Sequence, residues 1–187
     1  MKKFLLAAWE FVKMLLVALV IVLPVRYFLI QPFYVKGASM EPNFHDNEYL
    51  IIDEVNYRFN PPARGDIVVF KYPYDPKQFF IKRVIGLPGE TVILKDGGVY
   101  IKNDQNPDGW QLKEDYLGPN VTTMVYNDDQ IILGDSEYYV LGDNRLASKD
   151  SRIFGPVDKK FLIGRVVFRG WPLAKAGLIK SIQYAAN

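Results

Sequence analysis

The chain contains no cysteine and one histidine, His45, among 187 residues. Without cysteine there is no disulfide framework, thiol nucleophile, iron–sulfur cluster or cysteine-bound zinc, and one imidazole cannot build the usual histidine metal cage. Neither a metal nor another cofactor is expected. A hydrolase made from this chain must take its general base from His45, a carboxylate or a lysine. Basic charge is also scarce outside the N-terminus. Residues 1–30 hold Lys2, Lys3, Lys13 and Arg26 against Glu10, leaving 19 basic and 20 acidic groups in the other 157 residues. The body lacks the excess needed to neutralise phosphates, so nucleic acid is not expected as a partner. Internal repeats and low-complexity tracts are absent, and the length suits one compact domain or one domain with a small insertion.

What is present begins with an apolar stretch, FVKMLLVALVIVLPVRYFLI, from Phe11 to Ile30. Twenty helical residues reach about 30 Å, the thickness of a bilayer core, whereas the uncharged run Met14 to Val25 reaches only about 18 Å. Spanning therefore requires Lys13 and Arg26 to snorkel, with Tyr27, Phe33 and Tyr34 as interfacial aromatics. Pro24 is tolerated as a kink, and Pro32 ends the segment. A cleaved signal peptide would finish in a small-residue A-x-A site, which PVRYFLIQPFYV does not provide. A buried core helix stays open as an alternative, because twelve uncharged residues also suit a soluble core. Read as an anchor, the chain has residues 1–10 in the cytoplasm and residues 11–31 in the plasma membrane. Lys2, Lys3 and Lys13 precede the span and only Arg26 and Lys36 follow, which places the body outside the cell on the lipid surface.

Beyond Pro32 the pattern changes to short runs rich in Val, Ile, Phe and Tyr, at 49–52, 67–70, 79–85, 91–94, 99–101, 130–133, 138–141 and 161–168. Gly, Pro, Asp and Asn bound them, as they bound strands, and the body is predicted to be mainly β. Asp96-Gly97 suits a two-residue hairpin turn. The expected organisation is a β core over 33–90 and 136–172, an inserted β/loop excursion over 91–135 and a tail over 173–187. Residues 103–129 read as loop, and LAKAGLIKSIQYAAN as a short helix on the membrane.

Three segments hold residues suited to chemistry. In Gly37-Ala38-Ser39-Met40-Glu41-Pro42, small residues before Ser39 let a substrate backbone approach, although most serines in such loops only cap a turn. In Phe79 to Ile85, strand alternation puts Phe80, Lys82 and Val84 on one face and Ile81, Arg83 and Ile85 on the other. Apolar neighbours desolvate Lys82 and lower its pKa, as a lysine base requires; the alternative is a solvated edge-strand lysine. In Gly142 to Arg152, Asp143, Arg145, Asp150 and Arg152 could form a rigid ion-pair network with Ser148 or Ser151 as a placed hydroxyl, or an ordinary solvated loop.

Together, in this order behind an apolar segment, SMEP at 39–42, GDIVVF at 65–70, KRVIGLPGE at 82–90 and GDNRLASKDSR at 142–152 with FGPV after it resemble the type I signal peptidases of bacteria, in their shorter Gram-positive-like form. The resemblance covers roughly residues 10–172. It implies a β core of the LexA/signal peptidase type with one N-terminal transmembrane helix. It also implies a membrane-bound serine endopeptidase that cuts signal peptides from exported preproteins after small residues at −1 and −3. By resemblance Ser39 is the nucleophile, Lys82 the general base and Ser148 the hydroxyl that orients the lysine. Asp143, Arg145, Asp150 and Arg152 form the supporting network, with Arg83 as an ion-pair partner of Asp150. Phe33, Val35, Gly37, Met40, Phe80 and Ile81 are candidates for the substrate pocket.

Two positions depart from the family pattern. Asn43-Phe44 stands where Thr-Leu is common, so the supporting contact there is expected to differ. Gly37 stands where some members carry a serine that donates to the oxyanion, which leaves backbone amides, including that of Ser39, for the task. The rival readings are a Ser/Lys self-cleaving regulator, which would need a DNA-binding domain, and a non-catalytic membrane-tethered β module.

Overall fold

The computed structural model describes residues 2–24, 31–119, 121–126, 129–182 and 184. Helix α1 (Lys2–Pro24) opens the chain. It starts within the stretch read as a cytoplasmic N-terminus, and Gln31, read as the last anchor residue, already belongs to a strand. Residues 25–30 of the expected span lie outside the described residues. Among the described residues, no helix is long and apolar enough to cross a membrane.

The body is mainly β. The larger sheet has eight strands, β1 (Gln31–Tyr34), β2 (Tyr49–Asp53), β3 (Ile67–Tyr72), β4 (Asp75–Gly86), β9 (Glu137–Leu141), β10 (Val157–Asp158), β11 (Leu162–Trp171) and β12 (Gly177–Leu178). Their order is β1-β2-β11-β3-β4-β9-β10, with β12 beside β11. The smaller sheet contains β5 (Thr91–Lys95), β6 (Gly98–Asn103), β7 (Asn106–Gln111) and β8 (Gln130–Ile132), ordered β7-β6-β5-β8. Each of the eight predicted runs overlaps a strand. Three strands, β1, β7 and β12, lie in segments read otherwise. Pro32 does not merely close the apolar segment but pairs with Ile51 on an edge strand, where a residue without an N–H is tolerated. NPDGWQ, part of the expected loop, forms β7, because pairing with β6 overrides its weak intrinsic strand preference.

Both faces of the larger sheet are covered. Val68, Phe70, Val84, Tyr138 and Val140 bury one face with Tyr57, Phe154 and Val157. Ile67, Val69, Leu50, Ile52 and Val166 bury the other with Val35, Met40 and Phe44. A third cluster joins Ile85, Tyr139 and Leu141 of the larger sheet to Val92, Leu94, Val99 and Ile101 of the smaller one. This two-sided burial explains why IVVF and YYVL read as continuous apolar runs instead of alternating. The turn between β5 and β6 is Asp96-Gly97, with φ of 51° and 74°, the positive dihedrals expected of a two-residue hairpin.

The described part of the C-terminal segment, residues 173–182 and 184, does not form the expected short helix on the membrane. After a 3₁₀ turn at Leu173–Lys175, β12 pairs with β11, Ile179 packs on the core and the Ser181 hydroxyl donates to Asp66 Oδ1 at 2.5 Å. Tyr184 packs against the third cluster. Apolar contacts and a buried carboxylate hold these residues against the body, where a short helix on the membrane was expected.

Candidate active site

Ser39 sits in the loop joining β1 to β2. Met40 and Phe44, 1% and 2% exposed, pin this loop to the core, and the Phe44 amide donates to the Met40 carbonyl to close one helical turn. Gly37, at φ +90°, turns the chain just before the serine, and its amide donates to Asp46 Oδ1 at 2.7 Å. Opposite, β4 carries Lys82, paired in register with Val68 of β3. Lys82 is 3% exposed, and its Nζ lies 2.8 Å from Ser39 Oγ and 2.8 Å from the Ile81 carbonyl oxygen. Its neighbours on that face are the apolar core residues and the Phe80 ring, 5.3 Å from Nζ. Burial in these surroundings lowers the Lys82 pKa to about 8, while the charges of Asp150 and Asp143 oppose the shift. At pH 7 about one such lysine in ten is neutral, against a few in ten thousand for an ordinary one.

The loop after β9 holds the serine loop in place. The Asn144 amide donates to the Ser39 carbonyl and its side chain to the Ala38 carbonyl, each at 3.1 Å. Gly142 has no room for a side chain: a Cβ would lie 2.5 Å from both the Ser39 carbonyl oxygen and Ser148 Cβ. Ser148 is 7% exposed, and its hydroxyl has no hydrogen-bond partner among the described residues, so the expected bond to Lys82 is not formed. Ser151 serves the backbone instead, its hydroxyl accepting from the Val140 amide at 3.0 Å.

The charged network differs from the expected one in its pairing. Arg83 does not pair with Asp150. Its guanidinium grips both oxygens of Asp143, at 2.8 and 2.6 Å. Asp150 caps the short helix Ser151–Phe154, pairs with Arg152 at 2.8 Å through both oxygens and accepts the Gly142 amide at 3.0 Å. Alternation sends Arg83 to the face opposite Lys82, where Asp143 lies, while Arg152 follows Asp150 closely enough to claim it locally. Arg145 pairs with Glu114 and Thr123, both from the segment read as a loop excursion, and donates to the Gly142 carbonyl at 3.1 Å. Asn43 takes the place of the common threonine by donating from Nδ2 to Asp143 Oδ2 at 2.8 Å and to the Tyr116 carbonyl at 2.9 Å. Glu114, Tyr116, Gly142 and Asn144 are parts of the site that sequence reasoning left without a role. Only Gly142 and Asn144, inside the polar motif, carried any signal.

A cleft of about 630 Å³ opens beside Ser39 and Lys82, lined by Phe33, Val35, Phe80 and Ile81 among others. Met40 is core beneath the loop and Gly37 lies on its exposed turn, so neither lines the cleft. His45 is half-exposed and lies 3.6 Å from Glu41.

A buried lysine of lowered pKa against a serine hydroxyl at the end of an open cleft can perform acyl transfer without histidine. The family description "Signal peptidase, peptidase S26" matches residues 8–171. A probable signal peptidase I-1 of Synechocystis sp. is 37% identical, covering 94% of this chain and 91% of its own. Signal peptidase IB of Staphylococcus aureus is 34% identical, covering 94% of each. A crystal structure of a signal peptidase I from Enterococcus faecalis V583 is 34% identical, with a TM-score of 0.47 over 57% of this chain and 97% of that one. With the family match running from α1 through β11, this chain belongs to the signal peptidase family, peptidase S26.

Proposed function

We propose that this protein is a serine endopeptidase that removes N-terminal signal peptides from exported preproteins, with Ser39 as nucleophile and Lys82 as general base. The 2.8 Å contact between Ser39 Oγ and a buried Lys82 Nζ carries the reading. Neutral Lys82 accepts the Ser39 proton as Oγ attacks the scissile carbonyl. Its ammonium then protonates the leaving amine, and the neutral amine activates the water that hydrolyses the acyl-enzyme. The Ser39 amide, which donates to no described residue, serves the oxyanion. Ser148, a buried hydroxyl with a free acceptor, receives a bond from the Lys82 ammonium once it forms. Asp143, Arg83, Arg145, Asp150 and Arg152 keep the loop rigid. Phe33, Val35, Phe80 and Ile81 make a shallow apolar wall that suits small side chains at −1 and −3.

The same reading places the protein at the plasma membrane as a single-pass protein with its body outside and lipid as a partner. Along α1, apolar side chains from Phe4 to Val22 stand exposed on every side of the helix, including Trp9, Phe11, Leu15, Leu16 and Leu19. So many exposed apolar side chains favour an apolar surrounding for α1, with the exposed Glu10–Lys13 pair interrupting them. The decisive experiment is cleavage of a preprotein carrying an A-x-A site by the full chain in detergent. Ser39→Ala and Lys82→Ala each lower the rate by about 10³-fold or more, because groups that act as a unit fail together. Near-normal cleavage by either variant rejects the dyad.

A further inference from the structure

The segment between β7 and β8 reaches the catalytic region with Tyr116 among its residues, and we propose that Tyr116 is a positioning residue that fastens the serine loop to the lysine strand through Asp143. This inference rests on the Ser39–Lys82 reading above. Asp143 has two side-chain partners in other segments, Asn43 and Arg83, and Tyr116 touches both. Its backbone carbonyl accepts from the Asn43 amide nitrogen that also binds Asp143, at 2.9 Å. Its ring lies against the Arg83 guanidinium, 4.0 Å from the ring centre. Asn43 stands four residues after Ser39, and Arg83 directly follows Lys82. Tyr116 therefore bridges the two pieces of chain that carry the reacting groups, with the Asp143 carboxylate as the common joint.

The tyrosine is itself held firmly. Its hydroxyl donates to Glu114 Oε1 at 2.5 Å and receives from Arg145 at 3.2 Å and from Tyr184 at 3.1 Å. Arg145 is 1% exposed, and its Nε bonds the Gly142 carbonyl, next to Asp143. Glu114 and Arg145 thus fix the tyrosine from behind. The ring and carbonyl act on Asp143 from the front. Serine and lysine come from segments 43 positions apart in sequence, and their 2.8 Å separation depends on such cross-links. A misplacement of about 1 Å between reacting groups costs on the order of 10²-fold in rate. Charge at Asp143 also opposes the lowering of the Lys82 pKa, so a displaced carboxylate alters the base as well as its position.

The test compares Tyr116→Leu and Tyr116→Phe in the full chain in detergent, on the A-x-A preprotein. Tyr116→Leu removes the ring over Arg83 and is expected to lower kcat by about tenfold or more with KM within about twofold. Tyr116→Phe keeps ring and carbonyl and restores kcat to within about threefold of the parent. Against Asp143→Asn, Tyr116→Leu is expected to cost less than about threefold, since both changes break one joint. A folded Tyr116→Leu protein with the parent's kcat, or losses that simply multiply with those of Asp143→Asn, overturns the inference. If Tyr116→Leu does not fold, Asn43→Ala breaks the same bridge without stranding a buried guanidinium, and the same thresholds decide. Ser39→Ala is run alongside: cleavage persisting in that variant defeats the dyad reading itself, whereas its loss together with an indifferent Tyr116 defeats only the positioning role.

Discussion

The two faces of β4 treat neighbouring basic side chains in opposite ways. Lys82 and Arg83 are 3% and 2% exposed, equally removed from water. On one face Lys82 meets a serine hydroxyl, a carbonyl and apolar core, with no carboxylate among its described hydrogen-bond partners, and its charge is disfavoured. On the other face Arg83 meets Asp143 in a two-pronged pair over an aromatic ring, and its charge is retained. Burial alone therefore does not decide ionisation. The partner supplied on each face decides it, and the alternation of a strand lets one dipeptide present a lysine whose charge is disfavoured and a fixed cation on opposite faces.

That contrast can be broken from the Lys82 side first. Lys82→Met is expected to abolish preprotein cleavage, by about 10³-fold or more, while leaving the denaturation midpoint unchanged or raised, because the replacement buries no charge. A large loss of stability would mean that the lysine is structural. The converse change, Arg83→Met, strands the Asp143 carboxylate and should cost about 3–5 kcal/mol in denaturant unfolding. If Arg83→Met unfolds at the parent's denaturant concentration, the two faces are not different in kind.

Gly142 lies where the faces meet. Gly142→Ala pushes on Ser148 and on the Ser39 carbonyl without touching the Arg83–Asp143 pair, so cleavage should fall by about 10²-fold while folded protein is still recovered. The pH profile sharpens the distinction further. Only neutral Lys82 accepts the proton, so kcat/KM rises about tenfold per pH unit below the Lys82 pKa of about 8 and levels off above it. A profile flat from pH 6 to about 10 would remove lysine as the base. The smallest effect expected is that of Ser148→Ala, about a tenfold loss of kcat at unchanged thermal midpoint, measured by single-turnover cleavage.

Much of this was visible in the chain itself, and the visible part has a common character. The eight strand runs, the Asp96-Gly97 turn and the alternation that separates Lys82 from Arg83 are local, governed by side-chain period and dihedral preference. The polar motif from Gly142 to Arg152 stood out because so many charges in a row beside apolar strands are unusual. What stayed hidden depended on distant chain. Arg83 was matched with Asp150, but the carboxylate on its face is Asp143, and nothing in spacing distinguishes the two. Glu114 and Tyr116 sit in a polar stretch with weak strand signal, and their role appears only once that stretch folds back over the Asp143 loop. The tail read as a short helix on the membrane, whereas Gly177 and Leu178 pair with β11 and Ile179 packs on the core, since pairing and burial outweigh intrinsic preference.

With no cysteine and one histidine, the sequence by itself excluded thiol chemistry and the usual histidine metal cage and left His45, a carboxylate or a lysine as the base, and the resemblance of its ordered motifs to the type I signal peptidases singled out Ser39 and Lys82. Those conclusions follow from composition and from local motifs, which need no contact between distant residues. The tertiary structure decided that Ser39 and Lys82 lie 2.8 Å apart, that the lysine bonds Ser39 and the Ile81 carbonyl, and which acid pairs with which arginine. Proton affinity and pairing in a buried site depend on distances across the fold, and only packing brings those groups together.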